Sequence, residues 1–234
     1  TKHKRRINSI LQNYKQMKIA GFKKQSLIDY PGNISSVVFT QGCNFRCGFC
    51  HNPDLVLSEK FGHIYREEHI FDYLNRYKSL IDAVCITGGE PTIQYDLPYF
   101  IRKVKNLNLK VKLDSNGTNP GMLRQLFEDR LVDYIAMDIK HILEFDAYNM
   151  IVGNWINRKT FLKILESIEL IENADVDYEF RTTVIKGVHR EEQIQHLKQR
   201  FGKNYKVQNF NPEIILDPNL IGEPFSESEY KSFS

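Results

Sequence analysis

Three of the four cysteines, Cys43, Cys47 and Cys50, fall within eight residues in the order Cys-x3-Cys-x2-Cys, and Cys85 stands apart. Thiolates are soft metal ligands, and clustered thiols without a paired disulfide framework point to a metal centre in a reducing compartment, most simply the cytoplasm. Zinc is poorly served by this set. A structural zinc site takes four closed ligands, yet His51 directly follows Cys50 and no second cysteine pair exists. A non-catalytic zinc-binding module is thus the alternative from a different class. Electron-transfer iron–sulfur centres normally use four cysteines. Three thiolates on a cubane would leave one iron without a protein ligand, open to a bidentate small molecule, which is a catalytic arrangement.

Such a loop needs a scaffold. From Gly21 onward, β-branched and aromatic runs alternate with segments of helical periodicity. Strands are expected over Ser35–Thr40, Ala83–Thr87, Lys110–Asp114, Asp133–Asp138, Tyr178–Val184 and Lys206–Asn209. Helices are expected over Glu67–Tyr77, Asp96–Leu107, Arg158–Asn173 and Glu191–Phe201. Another opens at Asn119-Pro120, an N-cap followed by proline at the first helical position. Six strands alternating with about five helices indicate an α/β fold with parallel strands, either an open doubly wound sheet or a partial barrel; a complete barrel would need eight. Functional groups should then gather at the C-terminal ends of the strands. The polar motifs obey that rule: the cysteine loop after the first strand, Gly88-Gly89-Glu90-Pro91 after the second, Asp114-Ser115-Asn116-Gly117 after the third, Asp138-Ile139-Lys140 after the fourth, and Lys186-Gly187 after the fifth.

Composition removes several classes. With 41% hydrophobic and 26% charged residues, the 234-residue chain is an ordinary globular sequence rather than a disordered or repetitive one. A net charge of +3, with its one basic run at Lys2–Arg6, gives no concentrated stripe for nucleic acid. No apolar stretch approaches the ~18–20 residues that span a bilayer, and no apolar h-region follows the basic N-terminus. Residues 1–20 read as an N-terminal extension in which Ile7, Ile10, Leu11 and Tyr14 have helical spacing. Residues 21–212 read as the functional domain and 213–234 as a C-terminal tail.

The stretch Gln41-Gly42-Cys43-Asn44-Phe45-Arg46-Cys47-Gly48-Phe49-Cys50-His51-Asn52-Pro53 resembles the cluster loop of radical S-adenosylmethionine (SAM) enzymes, with Phe49 at the aromatic position of their C-x3-C-x-aromatic-C motif. Within that superfamily it is most similar to anaerobic ribonucleotide reductase activating proteins and the related pyruvate formate-lyase activating enzymes. Supporting stretches are Ser26-Leu27-Ile28-Asp29-Tyr30-Pro31-Gly32, the Gly88 and Asp114 motifs, Tyr134–Lys140 and Asp177–Thr183. The resemblance implies a partial (β/α)6 barrel. It implies that Cys43, Cys47 and Cys50 ligate a 4Fe–4S cluster whose unique iron takes the methionyl amino and carboxylate groups of SAM. By the same resemblance, Phe49 contacts adenine, and Gly88, Gly89 and Glu90 receive the methionyl ammonium. Asp114, Ser115 and Asp138 match positions that bind a monovalent cation, with Ser115 replacing the usual threonine. Lys140 faces the cofactor carboxylate or ribose, and Arg181 makes a further polar contact. His51 and Asn52 line the cluster side; His189 and Asn211 are weaker candidates.

The implied activity is reductive cleavage of SAM to a 5′-deoxyadenosyl radical that takes hydrogen from a glycine of a partner enzyme. The expected partner is anaerobic ribonucleoside-triphosphate reductase, and the expected electron donor is flavodoxin or ferredoxin. A pyruvate formate-lyase type partner, or a small substrate as in carboxydeazaguanine synthases, are the alternatives. After one cluster only Cys85 remains, which excludes auxiliary clusters needing three or four thiolates each.

Overall fold

The computed structural model describes residues 17–233. Seven strands among them form one sheet in chain order: β1 (Ile19–Ser26), β2 (Ser35–Thr40), β3 (Ala83–Gly88), β4 (Lys110–Ser115), β5 (Tyr134–Asp138), β6 (Asp177–Val184) and β7 (Tyr205–Asn209). β1 is antiparallel to β2, and every later neighbouring pair is parallel. Each strand lies beside its predecessor, so right-handed crossovers carry the intervening helices onto a single face. The sheet stays open, with β1 and β7 as its edges. This is the expected α/β partial barrel of six parallel strands, with one antiparallel strand added.

Period-two alternation along the strands separates two environments. Val38, Val84, Ile86, Leu113, Ile135 and Phe180 are buried in the core beneath the helices. The alternate positions Lys112, Asp114, Asp138, Glu179 and Arg181 make ion pairs with one another on the opposite face. The concave side of the sheet is therefore charged, and the apolar core lies between sheet and helices.

All six expected strands form with bounds within one residue, and the helices Glu67–Tyr77 and Glu191–Phe201 have the expected bounds. Asn119 caps as expected: its Oδ1 accepts the Met122 N–H at 3.2 Å at the start of the helix Pro120–Glu128. β1 is the addition. Its Gly21 and consecutive Lys23 and Lys24 break the apolar alternation that marks a strand, yet Phe22 packs against the core and Ile19 is fully buried. Charged side chains are what an edge strand carries against stray pairing. The core also begins earlier than Gly21, since Met17 is fully buried. The helical spacing read over Ile7, Ile10, Leu11 and Tyr14 lies outside the described residues.

Beyond β7 the chain returns over the domain. Phe225 and Phe233 pack with Val184 and Ile194 in a second apolar cluster, and the Asp217 N–H donates to the Gly48 carbonyl in the cysteine loop at 2.9 Å. Among the described residues, no helix is long and apolar enough to cross a membrane.

Candidate functional site

Cys43, Cys47 and Cys50 follow β2 in a loop that packing holds from several sides. The Cys50 N–H donates to the Cys47 carbonyl at 3.0 Å and closes a tight turn. The Phe45 N–H points at Cys43 Sγ, 3.4 Å away. Arg46 donates to the carbonyls of Cys43 and Phe45, at 2.8 and 2.7 Å, while its guanidinium stacks on Trp155. Its own N–H donates to the Val152 carbonyl. Asn44 ties the loop to the end of β4 through Asn116 and Thr118, at 2.8 and 2.7 Å.

All three thiols line one cavity of about 220 Å³ at the C-terminal ends of the strands. Phe49, Gly88, Gly89, Glu90, Asp114, Ser115, Asp138, Lys140 and Arg181 share its wall, as do His51 and Asn52. Every residue singled out as a site candidate thus lies on one cavity, except His189 and Asn211. Cys85 is buried on β3, with Lys112 Nζ 3.9 Å from its sulfur. Burial pushes the thiol of Cys43 up to about 11 and that of Cys47 up to about 12. Held as thiolates, these sulfurs therefore call for a cationic partner in the cavity.

Gly88 and Gly89 are explained by backbone before ligand. Gly88 has φ +114°, and a Cβ there would meet the Thr40 backbone; a Cβ on Gly89 would overlap the Gly42 carbonyl. The Glu90 N–H donates to that same carbonyl at 2.8 Å. The glycines let the turn after β3 lie directly on the approach to Cys43. Gly89→Ala should therefore destabilise the fold by ~1–3 kcal/mol, as overpacking against fixed backbone does. Urea unfolding of the variant checks this.

Glu90 has a different environment from that of a free ligand carboxylate. It is buried and accepts from the Thr92 N–H and hydroxyl, from Ser115 Oγ at 2.8 Å and from the Asn116 N–H at 2.6 Å. Burial raises its pKa against the pull of those donors. Its carboxylate braces the end of β3 against the end of β4.

The charged wall spans three neighbouring strands. Arg181 on β6 bonds Asp138 on β5, with Nε to Oδ1 at 3.0 Å, and reaches Asp114 on β4 at 3.3 Å. Lys112 pairs with the other side of Asp114, and Lys140 Nζ sits 2.9 Å from Asp138 Oδ2. Burial alone would raise the Asp138 carboxyl, but Arg181 and then Lys140 outweigh it and hold it well below the usual carboxylate range. Lys140 is displaced upward in turn, burial being outweighed by Asp138, so it stays an ammonium. Its Nζ lies 5.8 Å from the Phe49 ring.

Among the lining residues, Thr87, Thr183 and Gln208 are not singled out by the sequence as site candidates, and Asn116 stands in the Asp114 motif without a role. Thr87, Thr183 and Gln208 occupy concave-face positions on β3, β6 and β7, which strand parity would have found. Asn211 instead bonds Glu213 outside the cavity. His189 is buried and does not line the cavity, and both of its ring nitrogens are engaged by backbone.

The family model of the Radical SAM superfamily matches residues 37–199. A Methanocaldococcus jannaschii protein named as a glycyl-radical enzyme activating enzyme is 36% identical over 207 residues, 85% of this chain and 82% of its own length. The pyruvate formate-lyase-activating enzyme of Clostridium pasteurianum is 31% identical over 66% of this chain and 64% of its own. That of Listeria monocytogenes is 38% identical over 49% of this chain and 50% of its own. Among solved structures, Streptococcus suis SuiB aligns with a TM-score of 0.61 at 16% identity, over 82% of this chain and 42% of that one. The protein anSMEcpe with bound AdoMet aligns at 0.57 and 21% identity, over 73% and 49%. At such identities these two structures show likeness of fold.

Proposed function

Since the chain belongs to the radical SAM superfamily, and within it to the glycyl-radical activating enzymes, we propose that it installs a glycyl radical on anaerobic ribonucleoside-triphosphate reductase. The observation that carries the reading is one cavity on which three thiols share the wall with a part-buried ammonium and paired carboxylates. The site residues suit the cofactors. Cys43, Cys47 and Cys50 would hold a 4Fe–4S cluster. All three line the same cavity and their sulfurs are the soft donors such a cluster takes, though among the described residues no group of three acidic, histidine or cysteine side chains is already set to hold a metal ion. When bound, the cluster supplies the electron that cleaves SAM to methionine and a 5′-deoxyadenosyl radical, which takes hydrogen from a glycine Cα.

The chain's own residues bind and orient. Lys140 offers its ammonium to the methionyl carboxylate, and Asp138 keeps that ammonium protonated and aimed. Backbone oxygens around Gly88 and Gly89 accept from the methionyl ammonium, and Glu90 fixes the turn that presents them. Phe49 packs against adenine. Arg181 holds β4, β5 and β6 in register through Asp114 and Asp138. The monovalent cation belongs to the same proposal, with Asp114, Ser115 and Asp138 as its ligands. Arg181 already spans the two carboxylates, so a cation there would compete with the guanidinium.

The test mixes reduced, reconstituted protein with SAM and the reductase, with flavodoxin or ferredoxin as the proposed donor. A glycyl doublet by electron paramagnetic resonance is expected. Formation of 5′-deoxyadenosine without the doublet would reject this partner. The names of the two similar pyruvate formate-lyase-activating enzymes favour pyruvate formate-lyase as the second partner to assay.

Replacing the ammonium gives a separate check. Lys140→Met should raise KM for SAM by roughly tenfold to a hundredfold, as expected for one charge-assisted contact worth ~1.5–3 kcal/mol. Steady-state 5′-deoxyadenosine formation at fixed cluster content measures it.

A further inference from the structure

Lys140 is held by more than its ion pair. Its backbone N–H donates to the Tyr148 hydroxyl at 3.3 Å, and Tyr148 is fully buried. The next peptide is held from the other side: the Lys140 carbonyl lies 3.1 Å from His189 Nε2. The opposite edge of that imidazole is also used, because Nδ1 accepts the Ile185 N–H at 3.1 Å. A ring that accepts at Nδ1 and faces a carbonyl at Nε2 must be neutral and carry its proton on Nε2. His141 stacks on it with ring centroids 4.9 Å apart. His189 therefore bridges the end of β6 to the segment leaving β5, and it enters the site only through Lys140.

We infer that His189 is a positioning residue for Lys140, a neutral Nε2–H imidazole that fixes the Lys140 peptide and so aims its ammonium into the cofactor cavity. The inference deepens the function proposed above and rests on it for the role of Lys140. Burial lowers the pKa of His189 to about 4, with the neighbouring His141 adding to the effect and the Lys140 carbonyl, which accepts from the ring, opposing it. Burial lowers His141 as well, and the charged groups acting on that ring are Glu144 and Arg190.

Two measurements on the full chain separate this role from plain core packing. In ¹⁵N-imidazole spectra with the cluster oxidised, His189 should show the Nε2–H tautomer without titrating between about pH 5.5 and 8. An Nδ1–H tautomer, or titration near the ordinary value of about 6.5, overturns the inference. The second measurement uses two variants. His189→Gln retains a donor near the Nε2 position, whereas His189→Asn retains only the acceptor for the Ile185 N–H. At equal cluster content, the Asn variant should raise KM for SAM about tenfold with kcat within about twofold, and should weaken the change SAM causes in the reduced-cluster resonance. The Gln variant should lie close to the parent. Equal loss in both variants, tracking a fall in Tm, means a structural role and overturns the inference. If instead Lys140→Met leaves KM unchanged while the Nε2–H tautomer is present, the role assigned to Lys140 fails. The two failures are thus distinguishable.

Discussion

Cys47→Ser should leave a folded protein that neither holds an iron–sulfur cluster nor cleaves SAM. Of the three loop thiols, Cys47 lies deepest, 7% exposed against the partly exposed Cys43 and Cys50. Arg46 and Gly48 flank it, and both are fixed by backbone contacts to Val152 and Asp217. The loop therefore cannot swing another side chain into its place. Serine is a harder and weaker ligand than a thiolate. With three protein ligands proposed and Cys85 off the cavity, no spare thiolate is at hand to compensate. Disturbing groups one step removed from a metal costs ~10–100-fold, so losing a ligand should exceed ~100-fold. The readouts are the broad absorbance near ~400 nm after anaerobic reconstitution and the yield of 5′-deoxyadenosine. Cys85→Ser is the control: Cys85 on β3 faces Lys112 of β4 and does not line the cavity, so its loss should leave the cluster signal intact. A Cys47→Ser protein that still builds the chromophore and still cleaves SAM would remove these thiols from the chemistry.

What could be read from the chain and what could not divide along a physical line. Strand interiors such as Ser35–Thr40 declare themselves because they are short runs rich in β-branched and aromatic residues. The site loops were legible because glycines, cysteines and carboxylates recur at strand ends, where a parallel sheet must put its chemistry. β1 was not legible, since an edge strand needs only Ile19 and Phe22 to dock and can spend the rest on glycine and lysine. The bracing role of Glu90 depends on Ser115 and Asn116, contributed by another strand 25 and 26 residues away. Tyr148 and His189 fall in the same class. Each acts on the Lys140 backbone, Tyr148 from eight residues on and His189 from 49, and no local pattern marks a side chain whose partner is a peptide group. Sequence motifs thus name the residues that meet ligand, while those that aim them emerge only from packing.

Arg181→Met should weaken the fold and flatten its acid dependence together. Arg181 is the one side chain among the described residues that reaches both Asp114 and Asp138, and Glu179 lies 3.9 Å from it. Lys112 and Lys140 keep one partner each after the change, but Glu179 loses its counter-charge and the link across β4, β5 and β6 is cut. Breaking a buried pair from one side costs ~3–5 kcal/mol, roughly 6–20 °C in Tm for a domain of this size. The pH dependence follows from Asp138. Burial opposes its ionisation, Arg181 and Lys140 overcome that, and its pKa in the folded protein is depressed. A depressed carboxylate contributes stability that is fully present above its unfolded value of about 3.9 and is lost as pH falls through the folded value. Without Arg181 the folded value rises toward the unfolded one, so Arg181→Met, already weaker at neutral pH, should lose less further stability than the parent as pH falls below about 4. Thermal unfolding from pH 2 to 7 reads both effects. Arg181→Lys should recover only part of the loss, because an ammonium cannot fork between two carboxylates. A methionine variant with the parent's Tm and an unmoved acid limb would show that Arg181 does not hold the carboxylate wall, and the geometry assigned to Lys140 and Asp138 would need another origin.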